Sequence, residues 1–542
     1  MKRLLALAIA IGFLAGCTKV GTKGESGRLN AWTQPHVLRY ADAEDVAGLN
    51  PHLIQQTALG FMASMTMAWL LKAGPDNRPV PELATEVPSK ANGGISADGK
   101  MITWHLRKDA KWSDGVPFDA DDVVFSTNVV NNPKNNEVSR DGWDLITKID
   151  EPDKYTVIYH LKKPYASFWP TFFGSAGANP CILPKHILGK LPTINNAPYN
   201  NLPVGIGPFK YESWKRADSV TMVADPLYFR GRPKLDKVIY KIIPDRNTLI
   251  TAMQTGEVDL WPLAAPAYIE RLKALKGFTT FKQIGFYFNH LDFNLTHPAV
   301  KELAVREALR YAIDRQTLRD KVGHGVGILQ ESPISPANPA HDAAIKRIPF
   351  NIVKANKLLD DAGWVRGADG IRAKNGTRLS LDFASSTGSP DTDTQIELIR
   401  GWWKQIGVKL NRKNYPVQLL FAPLSQGGIV YSGKFDVIVF AWGGDPIGDL
   451  SNLYECSQIP PNGQNDPRYC NPRVDQALEK FKGLYDEKER QPYSNFVQEQ
   501  LVKDVPTIVM SVREDLFTQN IDLKNYHPNA LTEFDDMQNV DI

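Results

Sequence analysis

The sequence predicts a mixed α/β fold that is divided between more than one domain. Once an N-terminal leader is removed, about 525 of the 542 residues remain, too many for a single hydrophobic core. Strand patterns of period two alternate with helical patterns, as at 236–243, 245–255 and 258–260. Gly256 suits the position that follows a helix. This βαβ-type order indicates α/β lobes.

The N-terminus indicates export. Met1-Lys2-Arg3 is basic, and residues 4–16 form an apolar run that is too short for a bilayer, which needs about 20 residues. Residues 1–16 are therefore predicted to be a signal peptide. They end in Leu-Ala-Gly before Cys17, which resembles the lipobox of bacterial lipoproteins and implies cleavage before a lipidated Cys17. Residues 17–35 would be a flexible tether, and the alternative is an ordinary secretion signal followed by a chance cysteine.

The most specific pattern lies in residues 101–126, MITWHLRKDAKWSDGVPFDADDVVFS. Apolar and polar side chains alternate through 102–107, which predicts a half-buried strand. A turn is expected at 113–115, and Asp119 is placed to cap a helix, with Asp122 three residues later. The string W-H-L-R-x-D-A-K-W-S-D-G-x-P-F-x-A-D-D-V-x-F-S resembles the signature of the family 5 extracellular solute-binding proteins, the receptors of oligopeptide, dipeptide and nickel ABC importers.

This resemblance covers nearly the whole mature chain. Residues 205–209 match the family pattern G-x-G-P-F/Y, and residues 306–315 match R-x-A-L-x-x-A-I-D-R. The resemblance implies a two-lobed fold of the type II periplasmic-binding class, with an extra α/β domain inserted in the first lobe. The expected divisions are 36–65 with 204–288 and 510–542 for lobe I, 66–203 for the extra domain, and 289–509 for lobe II. Local patterns predict one amphipathic helix over 301–318, a helix over 391–406 and a strand over 435–442.

The strand pattern at 435–442 predicts a ligand site at its end. In open α/β lobes, ligands bind beyond the carboxyl ends of strands. This strand ends in Trp442-Gly443-Gly444-Asp445, and peptide-binding family members have W-x-x-D here. The resemblance implies that Asp445 binds the ammonium group of a peptide N-terminus and that Trp442 lines the adjacent pocket. Gly443 and Gly444 would let the backbone approach the ligand closely.

Alternatives remain open at this loop. Because Pro446 follows Asp445, the carboxylate could instead cap a helix, and Trp442 could be a core residue. Asp449 is a second carboxylate, so either acid could be the anchor. The weaker ligand-binding candidates come from the facing lobe: Asn50 and Pro51, in a loop that resembles the family's L-x-N/D-P loop, and Tyr287.

Four cysteines do not form a disulfide framework. Cys456 and Cys470 bracket a polar loop, SQIPPNGQNDPRY, and in an exported protein a disulfide is expected there, worth about 3 kcal/mol in the chain-entropy model. Dipeptide-binding members of the family have a similar pair. Cys181 is left as a buried structural thiol. The spacings CxxC and HxxxH do not occur, which argues against a zinc site.

Charge and the family resemblance together define the expected partners. The 63 basic residues nearly balance the 60 acidic ones, so no large field would attract nucleic acid. We expect a monomeric binding protein without a cofactor, exported and lipid-anchored to the cell envelope. It would capture di- or oligopeptides and deliver them to the permease subunits of an ABC importer.

Two other classes of function are kept as alternatives. A receptor for a nickel or other metal chelate, or for an opine or a sugar, would use the same fold, and His36 and His52 lie near the Asn50 loop. A secreted hydrolase is the remote alternative. The acid pairs Asp121-Asp122 and Asp535-Asp536 are adjacent, so their side chains point apart, and the ten histidines show no ordered triad.

Overall fold

A computed structural model describes residues 30–175 and 180–542. The predicted signal peptide, Cys17 and the first part of the predicted tether lie outside the described residues. Among the residues that are described, no helix is both long enough and apolar enough to cross a membrane.

The described part of the chain contains nineteen strands and sixteen α-helices. The strands are β1 (Val37–Asp42), β2 (Leu71–Ala73), β3 (Pro79–Pro81), β4 (Met101–His105), β5 (Ile146–Asp153), β6 (Thr156–Leu161), β7 (Gly174–Ser175), β8 (Phe209–Lys215), β9 (Ser219–Ala224), β10 (Lys237–Ile242), β11 (Leu260–Trp261), β12 (Phe278–Phe293), β13 (Val365–Arg366), β14 (Arg372–Lys374), β15 (Thr377–Arg378), β16 (Ser380–Ser386), β17 (Lys409–Tyr415), β18 (Val437–Trp442) and β19 (Thr507–Asn520). The helices are α1 (Thr57–Thr66), α2 (Ala120–Asn131), α3 (Phe168–Thr171), α4 (Lys185–Leu188), α5 (Arg246–Gln254), α6 (Ile269–Lys273), α7 (Pro298–Lys301), α8 (Leu303–Tyr311), α9 (Arg315–Lys321), α10 (Ile352–Asp361), α11 (Pro390–Gln405), α12 (Val417–Leu420), α13 (Ile429–Ser432), α14 (Ser451–Tyr454), α15 (Pro472–Lys482) and α16 (Glu487–Asp504).

One ten-stranded sheet passes through both lobes, in the order β17-β16-β18-β12-β19-β11-β1-β10-β9-β8. The long strands β12 and β19 are antiparallel partners along most of their length. β18 pairs with the C-terminal half of β12, whereas β11 pairs with the C-terminal end of β19. β12 and β19 therefore connect lobe II to lobe I.

The pairing of β12 with β19 is interrupted between the lobes. The register shifts between Ile284 and Phe288 of β12, and residues 285–287 have no ladder partner in β19. We call residues 285–287 the interlobe bulge. A bulge bends its strand and re-aims the side chains that it carries, so it changes what faces the space between the lobes.

Separate hydrophobic clusters fill the lobes and the extra domain. One contains residues of β1, α1, β8–β10 and the C-terminal segment, and another contains residues of α8, α10, α11 and β16–β18. A third fills the extra domain around β4, α2 and β6, and it also takes in Ile447 and Phe481 from lobe II. Residues of the range predicted to be lobe II therefore pack directly against the range predicted to be the extra domain.

Several local predictions are confirmed at the level of elements. Ile102 and Trp104 of β4 are buried, and α2 begins at a capping box formed by Asp119 and Asp122. The single helix expected over 301–318 is wrong, because the chain breaks there into α8 and α9. Asp314 explains the break, since its side chain accepts the N–H of Thr317 and so starts a new helix.

Candidate functional site

The predicted ligand loop lies at the carboxyl ends of parallel strands. β16 runs parallel to both β17 and β18, and β18 ends at Trp442. The parallel direction brings the ends of these three strands to one edge of the lobe II sheet. Residues 443–445 leave β18 at that edge, which is where open α/β sheets bind ligands.

Gly444 holds this loop against the interlobe bulge. Its N–H donates to the carbonyl oxygen of Phe286 at 3.0 Å. A Cβ atom on residue 444 would lie 2.6 Å from the same oxygen, so only glycine allows the approach. Gly444 therefore permits a close approach of this loop to the backbone of the interlobe bulge.

The Asp445 carboxylate has two oxygens with different surroundings. Oδ1 accepts the N–H groups of Ile447 and Asp449, both at 2.9 Å, and so holds the turn that follows. Oδ2 accepts no hydrogen bond from any residue that the structure describes. The capping role expected of Asp445 is therefore present in part. Asp445 caps a turn and not a helix, because the nearest helix, α14, begins only at Ser451.

The electrostatics of this turn disfavour the charged form of Asp445. Burial and, next, the neighbouring carboxylate of Asp449 raise the pKa of Asp445 to about 7. Burial likewise raises the pKa of Asp449, although the N–H and hydroxyl of Ser451 donate to its Oδ1 at 2.8 and 2.6 Å. Two carboxylates therefore share one confined region, where the nearby Arg490 guanidinium offsets only part of their repulsion and a further cation would relieve more of it.

Tyr287 projects from the interlobe bulge beside the loop. Its side chain is 47% exposed, and a Cβ on residue 443 would lie 3.4 Å from its ring. The Arg513 guanidinium of β19 lies 4.4 Å from the centre of the same ring. Arg513 was not predicted from the sequence, where it stands in a charged run, residues 513–515. Trp442 is half-buried and packs edge-on against Phe440, 5.5 Å between ring centres.

The extra domain contributes groups near the acidic turn that local sequence patterns did not indicate. Asp445 and Asp449 both contribute to raising the pKa of Tyr165, after burial as the main cause. Asp141 also contributes to the raised pKa of Asp449. Beside Asp141, a cavity of about 160 Å³ is lined by Pro51, Trp143 and Thr171, among others, so the predicted loop at Pro51 borders this space.

Asn50, in contrast, has internal partners. It is buried, its Nδ2 donates to Asn200 Oδ1 at 2.8 Å, and its Oδ1 accepts the N–H of His52 at 3.1 Å. None of the hydrogen bonds among the described residues joins Asn50 to the loop at 442–445. His52 is buried between Glu137 and the Cys181 carbonyl, and His36 contacts Asp541.

The cysteines occupy two environments. Cys456 and Cys470 form a disulfide with their Cα atoms 4.5 Å apart, and Cys181 is a buried free thiol. Over residues 30–175 and 180–542, no group of three or more His, Cys, Asp or Glu side chains is arranged to hold a metal ion.

Proteins of similar architecture and related sequence are known. The model of the bacterial extracellular solute-binding proteins, family 5 Middle, matches residues 78–463. The chain belongs to this family. The two-lobed fold with its mixed α/β content is also that of solved periplasmic binding proteins, as the sequence resemblance implied.

Three relatives illustrate the range of the family. Oligopeptide-binding protein AppA of Bacillus subtilis is 27% identical over 448 residues, covering 81% of this chain and 79% of AppA. Its structure in complex with a nonapeptide has a TM-score of 0.73 at 22% identity and covers 94% of this chain and 99% of AppA. Heme-binding protein A of Haemophilus influenzae is 27% identical over 522 residues, 90% of each chain. NikZ of Campylobacter jejuni, solved with Ni(L-His), has a TM-score of 0.74 at 24% identity and covers 94% of this chain and all of NikZ.

Proposed function

We propose that this protein is the substrate-binding lipoprotein of an ABC importer that captures peptides between its two lobes. The ligand's N-terminal ammonium binds Asp445, and the peptide then extends along the edge of the lobe II sheet past Trp442 and Tyr287. Closure of the lobes encloses the peptide, and the closed receptor delivers it to the permease subunits.

The observation that carries this proposal is the open oxygen of Asp445. Oδ1 is held by two backbone N–H groups, which fix the carboxylate in place, while Oδ2 has no partner among the described residues. A fixed carboxylate with one free oxygen and a like charge nearby favours a cation over water or an anion. A peptide ammonium supplies that charge together with N–H groups that can continue the hydrogen bonding.

The family's other ligand classes find less support in this chain. A metal chelate would be expected to use free imidazoles, but His36 and His52 each already contact an acidic side chain. AppA, by comparison, combines similarity over about four fifths of this chain with a bound nonapeptide in its solved structure. Peptides are therefore the proposed substrate class, and their length is left open between two residues and many.

The test combines one substitution with one chemical change in the ligand. First, native mass spectrometry of the purified mature protein identifies peptides that co-purify. Calorimetry then compares wild type and Asp445→Asn with free and N-acetylated forms of one such peptide. Asp445→Asn keeps the shape but removes the charge, and should cost roughly 2–5 kcal/mol, about 30-fold or more in affinity.

The losses of affinity caused by the two changes should not be additive. Acetylation removes the ammonium and Asp445→Asn removes its partner, so acetylation should penalise the wild type strongly and the variant much less. Equal penalties in both proteins would show that Asp445 is not the anchor. Asp449→Asn, measured in the same way, then tests the second carboxylate.

Export and anchoring complete the proposal. The basic start, the short apolar run and the Leu-Ala-Gly-Cys ending support cleavage before Cys17 and lipid attachment there. The lipid would anchor the receptor to the cell envelope. The tether predicted over residues 17–35 is wrong at its C-terminal end, because Asn30 and Thr33 are buried and donate hydrogen bonds to Asp522 Oδ2 at 3.0 and 2.7 Å.

A further inference from the structure

We propose that the turn between α15 and α16 is a closure latch, through which lobe II grips the extra domain, and that Tyr485 is its positioning residue. We define the latch turn as residues 482–487. The inference rests on the proposed closure of the lobes, but it does not depend on which ligand is enclosed. It assigns to the extra domain the task of holding the receptor shut.

The Tyr485 hydroxyl makes two hydrogen bonds across the domain boundary. It accepts the N–H of Tyr165 at 3.0 Å and donates to the carbonyl oxygen of Gly99 at 2.7 Å. Its ring also packs against Phe168, with 5.6 Å between ring centres. One side chain of lobe II is therefore bound by two separate segments of the extra domain.

Gly99 is shaped for this contact. It has a left-handed backbone, with φ of +71°, and a Cβ atom there would lie 3.0 Å from Cε2 of Tyr485. Any side chain at this position would therefore crowd the tyrosine ring as well as strain the turn. The turn before β4 thus provides both the acceptor and the space that Tyr485 needs.

Two further contacts extend the latch on either side of Tyr485. The N–H of Ala166 donates to the carbonyl oxygen of Lys482 at 2.9 Å. Arg78, in the turn between β2 and β3, forms two hydrogen bonds to Glu487, at 2.9 and 2.7 Å. The Arg78 pair is partly exposed, so it contributes less than the Tyr485 contacts and is sensitive to salt.

The latch turn is held rigid and is connected to the ligand loop. Arg490 donates to the carbonyl oxygens of Leu484 and Tyr485, at 3.1 and 2.9 Å, which fixes the turn. Ile447 is buried in the hydrophobic cluster of the extra domain, and its N–H donates to Asp445 Oδ1. Closure thus brings Tyr165, whose N–H is bound by Tyr485, to the region of Asp445 and Asp449.

These contacts predict a kinetic role. All of them join lobe II to the extra domain, so an opening of the space between these two bodies would break them before a ligand leaves. None of them touches the proposed ammonium anchor directly. Weakening the latch should therefore raise the dissociation rate of the ligand and leave its association rate almost unchanged.

The principal test uses Tyr485→Phe, which removes the hydroxyl and keeps the ring. Loss of two hydrogen bonds should raise the dissociation rate of a bound peptide about tenfold. Free and N-acetylated peptides should be affected equally, unlike in Asp445→Asn. The matched control is Tyr268→Phe in lobe I, whose hydroxyl makes no hydrogen bond within the described chain and whose loss should change neither rate. An unchanged dissociation rate in Tyr485→Phe would overturn the latch.

A second test needs no ligand, so it separates failure of the latch from failure of the proposed function. Small-angle scattering of the free protein should give a larger mean radius of gyration for Arg78→Glu, because Glu487 would face a like charge. The charge swap Arg78→Glu with Glu487→Arg should restore the wild-type value. If no peptide binds but the radii of gyration follow this pattern, the latch is supported and the assignment of peptides as ligands is wrong. If neither Tyr485→Phe nor Arg78→Glu enlarges the radius, or the swap fails to restore an enlarged radius, the latch is wrong.

Discussion

The backbone N–H of Gly444 donates to the carbonyl oxygen of Phe286, which ties the proposed ligand loop to the bulge between the lobes. Phe286 belongs to the strand that passes from lobe I to lobe II, and Gly444 lies one residue before Asp445. Movement of one lobe relative to the other would therefore act directly on the position of the proposed anchor.

Gly444→Ala should disrupt this connection. The new methyl group would lie 2.6 Å from the Phe286 oxygen, and the backbone must shift to admit it, at a cost of about 1–3 kcal/mol in stability. Thermal unfolding and calorimetry with peptide should show lower stability and weaker binding together. Gly443→Ala is the matched control, because its methyl would lie 3.4 Å from the Tyr287 ring, a distance that a small ring movement accommodates. Equal losses in both variants would contradict the role given to Gly444.

Peptide binding should strengthen as the pH rises through neutrality. The pKa of free Asp445 is raised to about 7, so below that pH the group is increasingly a neutral acid that attracts an ammonium weakly. A bound ammonium lowers this pKa again, and binding therefore releases a proton. Calorimetry between pH 5.5 and 8 should show affinity that rises and then levels off, with heats that depend on the buffer. Asp445→Asn should show a much flatter profile, and a wild-type profile equally flat would contradict the prediction.

The same pKa predicts an effect on stability with the opposite sign. Between pH 4 and pH 7, folded Asp445 keeps a proton that the unfolded chain releases, so this group makes the protein less stable as the pH rises through that window. Asp445→Asn retains an oxygen that can accept the two N–H groups and removes the charge. Its melting temperature relative to wild type should therefore improve from pH 5 to pH 8. Asp445→Ala, which loses the capping oxygen, should be less stable at low pH by about 1 kcal/mol.

Cys17→Ala should release the protein from the membrane or leave it unprocessed, because both lipid attachment and cleavage are expected to need this cysteine. Fractionation of cells, with mass spectrometry of the mature N-terminus, measures both outcomes. A cleaved Cys17→Ala protein that remained at the membrane to the wild-type extent would contradict lipidation at this residue.

Replacing Cys456 and Cys470 together with serine should lower the free energy of unfolding by about 3 kcal/mol in the chain-entropy model. Denaturant unfolding of the oxidised wild type and the double variant measures the difference. Cys181→Ser is the control for an effect of thiol replacement alone. Recovery of Cys456 and Cys470 as free thiols from freshly exported protein, by peptide mapping, would end the claim.

Local features of this chain follow from its sequence more reliably than contacts between distant residues do. The alternation in β4 and the capping box of α2 were predicted correctly, because each depends on residues a few positions apart. The helix over 301–318 was predicted as one element because its apolar spacing continues through Asp314. Only the geometry of that side chain, bound to the N–H of Thr317, shows that a second helix starts there.

The candidate site shows the same limit. The sequence located Trp442 and Asp445 at the end of a strand, and the family pattern suggested their roles. It gave no means of finding Tyr165 or Tyr485, which lie 280 residues before and 40 residues after Asp445 and reach its surroundings only through packing. Arg513 was missed as well, because it stands in a run of three charged residues, 513–515, in which the sequence marks out no single member.

By itself, the sequence determined the family and the α/β class, and it predicted an export signal and a ligand loop. These follow from patterns that are local in the chain: periodicity, capping residues, turn residues and one dense signature. The tertiary structure alone decided that Gly444 meets Phe286, that one oxygen of Asp445 is held and the other open, and that Tyr485 meets Gly99. Such contacts depend on how distant segments pack. Burial, which also results from that packing, raises the pKa of Asp445, and the spacing of residues in the sequence does not reveal this shift.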